Sequence, residues 1–380
     1  MPVNLANDGM DRRSQPPTSG AGPERKDKTM SSARTYEAAA RTIRRAAPSR
    51  VSAPVPDMRE LIRLGTLAAS SHNTQPWKFE ASEKTIRIFP DFARRCPVVD
   101  PDDSHLYKSL GCAAENIVHA AAGQGLRADV EFDAHEDAVV VQLTAEPDCR
   151  QTELTDAITL RQCTKTSYDG RPLDDTQLST LQEAGTGNGV RTLIFVDADA
   201  KRTITDYVNE GNLEQLSDSD WREELFAWIR PNDRAAVESG DGLAGRTSGQ
   251  PSLPGWLARL IVPIVVKPKS QIKTDTTNIE SSAAIAVFVS DADHPAAWVE
   301  TGRCYERFAL QATAMDIRNA FINQPIEVPA IRTEFERWLE LGQGQHAQLM
   351  VRIGTGPQMP FSLRRPLDEV TVGDDEPPRP

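Results

Sequence analysis

The sequence predicts an α+β fold in which one structural unit occurs twice. Three observations predict it. Apolar residues recur at helical spacing in several segments. Strand-length apolar or alternating runs lie between those segments. One helix pattern is also repeated: SLGCAAENIVHAAAGQGLRADVEF carries Gly111 and Glu115, and ETGRCYERFALQATAMDIRNAFI carries Gly302 and Glu306 at the same spacing. Leu126-Arg127 and Ile317-Arg318 follow at a matching offset, where each helix gives way to a strand. Two amphipathic helices can resemble each other by chance, so the duplication must also fit the motifs below.

Taken in order, residues 1–35 are rich in Gly, Pro, Ser, Asp and Arg, lack apolar periodicity and are expected to be disordered. A short basic helix is expected within 36–47, so that 1–50 forms an N-terminal extension. Folded structure is expected from about Pro56 to Val372, followed by a flexible tail over 373–380. Met58 to Ala68 reads as a helix, ended by the polar run Ser70 to Gln75. Trp77, Phe79, Ile86 and Ile88 read as strands, Leu106 to Ala122 as a helix and Val139 to Leu143 as a buried strand. The pattern restarts after Arg150. Thr152–Leu160 and Thr176–Ala184 read as helices, and Thr192–Val196 as a strand. Tyr207–Arg230 is a polar helical region bearing aromatics, and 231–255 is rich in Gly, Pro and Ser. Ala283–Val289 reads as a buried strand, Trp298–Met315 as a long helix and Leu349–Ile353 as a strand.

A hydrophobic fraction of 39% and a charged fraction of 26% are ordinary for a globular chain. The net charge of −12 argues against general nucleic-acid binding, which needs a basic surface to displace counterions. The five cysteines, Cys96, Cys112, Cys149, Cys163 and Cys304, form no CxxC pair and no zinc-type spacing, as expected of reduced thiols in a cytoplasmic protein. The longest apolar run, Leu257 to Val266, is too short for a bilayer and contains Arg259 and Pro263. Arg44-Arg45 has the look of a twin-arginine signal, but no apolar stretch follows it. Walker A, HExxH and GxSxG motifs are absent. The glycines at 185, 187 and 189 follow a helix and precede a strand, the reverse of a dinucleotide turn.

Three segments carry groups suited to a phosphate and a polar aromatic ring. The first is Ser70-Ser71-His72-Asn73-Thr74-Gln75-Pro76-Trp77. The second is Arg161-Gln162-Cys163-Thr164-Lys165, where extended backbone would set Arg161, Cys163 and Lys165 on one face as a two-cation clamp. The third is Asn323-Gln324-Pro325-Ile326-Glu327, answered near the C-terminus by Ser362, Arg364 and Arg365. Each residue also has a plainer reading. Trp77, Leu110 and Phe308 read as core, His72 as a loop residue, Arg364 and Arg365 as a solvated pair, Cys163 as a buried thiol and Glu327 as a structural acceptor.

SSHNTQPWKF resembles the P-S-S-x-N-x-Q-P-W-x-F segment of the nitroreductases. LRQCTK resembles that family's R-x-S-x-K/R phosphate segment, NQPIE its P-I-E-G segment and SLRRPLDEV its closing K-x-R-x-P segment. The order differs from the usual one, in which R-x-S comes first. Where the family places P-S-S after R-x-S, this chain has EAGTGNGVRTLIFVD. That arrangement resembles the single-chain, Acg-type subfamily, a fused pseudo-dimer. The resemblance implies a nitroreductase-like fold of two halves, about 51–150 and 151–372, with a lid insertion near 210–280. It implies one flavin mononucleotide (FMN) per chain. Arg161, Gln162, Cys163 and Lys165, with Arg364 and Ser362, would hold the phosphate end. Ser70, Ser71, Asn73 and Gln75 would reach across from the first half. Pro325, Ile326 and Glu327 would line the ring and offer it a backbone N–H. Ala69, Cys163, Val328 and Ser362 depart from the family pattern.

The implied activity is hydride transfer from NADH or NADPH through FMN to a nitroaromatic or quinone-type acceptor, the chemistry belonging to the cofactor. The alternative is a flavin-sequestering protein with a closed lid and little turnover. No nucleic-acid or membrane partner is expected. One chain would act as its own pseudo-dimer or pair further as a homodimer.

Overall fold

The computed structural model describes residues 23–46, 56–146, 148–258, 260 and 267–372. The expected tail over 373–380 and residues 1–22 and 47–55 lie outside these. Helix α1, Pro23–Ile43, begins well inside the stretch expected to be disordered. Its sequence is rich in good helix formers, and Tyr36 and Ala40, one turn apart, bury against Ala236, Ala244 and Leu363. Two apolar residues anchoring a polar helix are too weak a periodic signal to read locally.

Helix α2, Met58–Gly65, leads through the polar turn into strands β1, Trp77–Ala81, and β2, Thr85–Pro90. Helix α3, Ser104–Ala122, follows, then β3, Leu126–Asp133, and β4, Ala138–Ala145. The four strands form one antiparallel sheet in the order β1-β2-β4-β3. Trp77, Phe79, Ile86 and Ile88 are buried while their neighbours face outward, so one face is covered, as the alternation requires.

After α4, Glu153–Ala157, and α5, Asp175–Ala184, the second sheet begins with β5, Val190–Phe195. The next stretch, through residue 283, holds α6, Ala198–Ser217; α7, Ser219–Trp228; β6, Ile229–Arg230; α8, Asp233–Ser239; β7, Leu243–Ala244; and α9, Pro268–Glu280. Strand β8, Ala284–Ser290, then returns to the sheet. It is followed by α10, Pro295–Ala314, and β9, Arg318–Phe321. Short helices α11, Gln324–Glu327, and α12, Pro329–Trp338, lead to β10, His346–Gly354, and the chain closes through α13, Leu367–Val370.

The second sheet has the order β5-β8-β10-β9. This is the order of the first sheet, strand for strand, with α3 and α10 in the same connection. The difference is the hairpin. A tight turn joins β1 to β2, whereas the α6–α9 segment separates β5 from β8, a larger insertion than 210–280. That segment also explains why β8 is apolar throughout. Ala284, Ala286 and Phe288 face the central core, and Ile285, Val287 and Val289 face a second core with Ile204, Val208 and Phe335.

Helices α3 and α10 cross at their glycines. A methyl on Gly111 would lie far inside contact with the Val299 carbonyl, and one on Gly302 would meet the Lys108 carbonyl in the same way. The contact is reciprocal, and Cys112 Sγ donates to the Gly302 carbonyl at 3.2 Å. No helix among the described residues is long and apolar enough to cross a membrane.

Gly111→Ala and Gly302→Ala should each cost roughly 3 kcal/mol or more, because a carbonyl cannot move aside as a flexible side chain can. Gly255→Ala, which meets nothing within 4 Å, should change stability by less than about 0.5 kcal/mol. Urea unfolding of the three variants checks this, and equal losses at all three would contradict it.

Candidate cofactor-binding site

Helix α2 ends with carbonyls that have no helical partner, and cations gather there. Arg364 donates from Nε to Thr66 O at 2.6 Å and from Nη2 to Leu67 O and Ala68 O at 2.9 and 3.0 Å. Arg161 Nη2 donates to Leu67 O at 2.8 Å. Beyond this end, His72, Asn73 and Gln75 all have positive φ, 47°, 55° and 55°. Three non-glycine residues held in the left-handed region mark a segment constrained by its surroundings. Asn73 supplies much of the constraint. Its Nδ2 donates to Gly242 O at 3.1 Å, its Oδ1 accepts from Arg364 Nη1 at 3.0 Å and its backbone carbonyl accepts from Gly242 N.

A cavity of about 370 Å³ opens beside this segment, a size suited to a small ligand. Its wall takes in Ser70, Ser71, Asn73, Arg161, Gln162, Cys163, Lys165, Glu327, Ser362 and Arg364, ten of the thirteen residues singled out in the sequence. Parts of the insertion face them: Asn212, Gln215, Trp221, Leu225, Gly242 and Gln271. The insertion is clasped to the first half, on the segment between β2 and α3. Asp241 pairs with Arg94 and with Arg230, the latter at 2.6 Å, and Glu224 accepts from the amides of Val98 and Val99.

One end of the cavity is cationic. Arg44, Arg161 and Arg364 are buried together around one carboxylate, Glu306. Arg161 Nε lies 2.9 Å from Glu306 Oε1, although its N–H is not directed at that oxygen. Glu306 also accepts from Ala69 N at 3.3 Å. Burial, with Arg364 and Arg161 nearby, holds Arg44 well below its usual range. Burial and Arg161 bring Arg364 down to about 9. Arg161 itself is pushed up: burial opposes this, but Glu306, Tyr305, Cys163 and Cys112 together outweigh it. Burial raises the Glu306 carboxyl, opposed by Arg161. Three guanidinium groups therefore face one carboxylate, with the α2 carbonyls taking part of the surplus.

Other lining residues can exchange protons. Burial pushes the Glu327 carboxyl up to about 7, and Gln215 Nε2 donates to it at 2.7 Å. His105 Nε2 lies 4.0 Å away and is held neutral by burial. Burial brings Lys108 down to about 8, with Ser104 Oγ as its hydrogen-bond partner at 3.0 Å. Burial and Lys165 bring His72 down to about 4.

The counterpart position on the other helix is occupied. Glu115, equivalent to Glu306, pairs with Arg303 at 3.1 Å and Arg307 at 2.9 Å. Arg307 donates to the carbonyls of Ala184 and Thr186, and Asn188 N donates to Glu300. Gly187 packs so tightly on Glu300 and Cys304 that a side chain would collide with both. The glycine loop thus sits on α10 where the first half has its polar segment, and the charges balance.

Several expectations need correction. Gln75 is fully buried away from the cavity, its Nε2 on Gly240 O and its Oε1 on Arg365 N. Pro325 and Ile326 are buried and do not line the cavity, and Ile326 joins the second core. The amides of Ile326 and Glu327 both donate to Asn323 O, so neither is available to a ring. Gln162 spends both ends of its amide on Met359, and Arg364 spends its donors on carbonyls and Asn73; both position the walls. Arg364 and Arg365 are not a solvated pair, since Arg364 is 5% exposed. His72 lines the cavity, because its positive φ turns it inward. Asn323 and Gln324, from the third segment, line the cavity, whereas the sequence reading missed Arg44, His105 and Lys108. Lys108 and His105 precede Gly111 by one and two turns, the traceable signal; Arg44 had none. Among the described residues, Ser71, Ser362 and Lys165 have no side-chain hydrogen bond, and no cluster could hold a metal ion.

No family model matches the chain. The resemblance seen in the motifs nevertheless runs through most of it. The chain is 26% identical over 345 residues to the Mycobacterium tuberculosis protein named "Putative NAD(P)H nitroreductase Rv3131", covering 87% of this chain and 96% of that one. It is 24% identical over 325 residues to the acg nitroreductase-named protein of the same species, covering 82% and 94%. Among solved structures, nitroreductase A of Vibrio parahaemolyticus aligns with 60% of this chain and 79% of its own at a TM-score of 0.37 and 13% identity. The FMN-bound nitroreductase of Bacteroides fragilis aligns with 54% and 89% at 0.34 and 13%.

The raised Glu327 carboxyl gives a signed prediction. Its stabilising contribution is full below about pH 4.5 and is lost as pH rises through about 7, because the buried site disfavours the ionised form. Glu327→Gln should therefore gain on wild type by on the order of 1–2 kcal/mol between pH 5 and pH 8, a value discounted for the carboxyl's partial access to the cavity. Paired urea titrations at the two pH values measure it; a constant difference would contradict it.

Proposed function

We propose that the cavity holds one FMN per chain and that the protein is an NAD(P)H-dependent oxidoreductase of the nitroreductase type. Nitroaromatic or quinone-type compounds would be its acceptors. The observation that carries this reading is convergence: the SSHN, RQCTK, NQPIE and SLRR segments, far apart in sequence, contribute to one cavity with a buried cationic end. The kinship with nitroreductase-named proteins supports it. When bound, FMN supplies two-electron chemistry between a reduced nicotinamide and the acceptor.

The residues fit such a group. The buried Arg44 Nε, with no partner, and the unpartnered Ser71, Ser362 and Lys165 suit a phosphate and its ribityl chain. Asn323, Gln324, Tyr305, Phe321 and Leu349 supply the mixed polar and apolar wall that a flavin ring needs. Lys108 and Glu327, which line the cavity, can hold or release a proton near neutral pH. The halves 51–150 and 151–372 act as fused partners, and the neutralised position at Glu115 accounts for one flavin where a symmetric dimer would hold two.

The clasped insertion favours a second reading, flavin sequestration. Asp241, Asn73 and Glu224 all hold it against the first half beside the cavity, where it would restrict access to the ring. Anaerobic mixing of the flavin-loaded protein with NADPH or NADH separates the two. Turnover predicts bleaching within seconds and return of the yellow colour on adding a nitroaromatic. Lasting colour under excess reductant would overturn the enzymatic reading, and at least about tenfold faster bleaching in Asp241→Asn would then identify the clasp as the cause.

A further inference from the structure

We infer that Arg44, delivered by the N-terminal helix α1, completes a binding site for a phosphate monoester dianion with Arg161 at the cationic end of the cavity. The inference deepens the FMN reading and assigns a role to a helix outside the motifs that suggested it. Arg44 sits at the C-terminal end of α1 and is 8% exposed. Its Nη1 donates to Thr159 O at 3.1 Å and Arg161 O at 3.0 Å, and its guanidinium lies 4.4 Å from the centre of the Phe361 ring. Its Nε is buried with no partner, and the side chain lines the cavity.

The helix is anchored so as to hold it there. Tyr36 Oη donates to Phe361 O at 2.7 Å, Arg45 pairs with Glu60 at 2.8 Å, and Arg63 donates to the carbonyls of Ile43 and Arg45. Carbonyl bonding alone does not account for an arginine at this position. A buried cation beside two others is costly, and one carboxylate, Glu306, leaves two positive charges in surplus. A phosphate monoester carries close to two negative charges at neutral pH and offers several strong acceptors. Ser362 stands where the resembling family has a basic residue, and Arg44 brings a cation to the same end from another element.

The test uses the full-length, flavin-free chain with Arg44→Met and Arg44→Lys. The first probe is inorganic phosphate. It should raise the thermal midpoint of wild type by several degrees over chloride at equal ionic strength, and Arg44→Met should lose that rise. The second is the affinity for FMN and for riboflavin, which lacks the phosphate, by quenching of flavin fluorescence. Arg44→Met should weaken FMN by about 10–100-fold and leave riboflavin within about twofold, with Arg44→Lys between wild type and Met. Equal loss for both flavins would reduce Arg44 to a structural role and overturn the inference, as would unchanged FMN affinity. Phosphate protection that depends on Arg44, in a wild type that takes up neither flavin, would sink the FMN reading and leave the anion site standing.

Discussion

The molecule depends on the crossing of α3 and α10, where two glycines let each backbone rest on the other's carbonyl. That contact fixes the distance between the two sheets and sets Glu115 and Glu306 in equivalent positions one turn along. Close backbone approach tolerates no side chain, so the repeat at this point is a steric requirement as much as a sign of ancestry.

From equivalent positions the two carboxylates meet opposite surroundings. Glu115 is neutralised by Arg303 and Arg307 from the facing helix, and a glycine loop closes over it. Glu306 faces more cation than it can balance, beside a cavity. A duplicated scaffold has thus been made unequal by charge. The insertion between β5 and β8 adds a third wall, which the Asp241 and Asn73 contacts tie to the first half. Both halves and the insertion of one polypeptide contribute to the wall of the cavity.

Much of this was legible in the sequence, for identifiable reasons. The core helices and strands follow their periodicities because each buries one face, and β8 is the exception because both of its faces are covered. The polar segments at Ser70 and Arg161 stood out because they interrupt periodic stretches. What escaped was set by contacts distant in sequence. Arg44 is charged and lies in a segment of little hydrophobicity; its burial comes from Phe361, Thr159 and Arg161. Gln75, Pro325 and Ile326 lie in the right segments but face away, because a positive φ and a tight helical turn decide their direction. His72 turns inward for the same backbone reason. The insertion proved longer than its glycine-rich centre suggested, because α6 reads as an ordinary helix.

The most direct measurement is a crystal structure of the chain grown with excess FMN. It should show one flavin per chain, its phosphate within hydrogen-bond distance of Arg44 and Arg161 and nothing beside Glu115. A second flavin at the Glu115 position, or a phosphate lying away from the guanidinium cluster, would contradict the charge asymmetry on which the site rests.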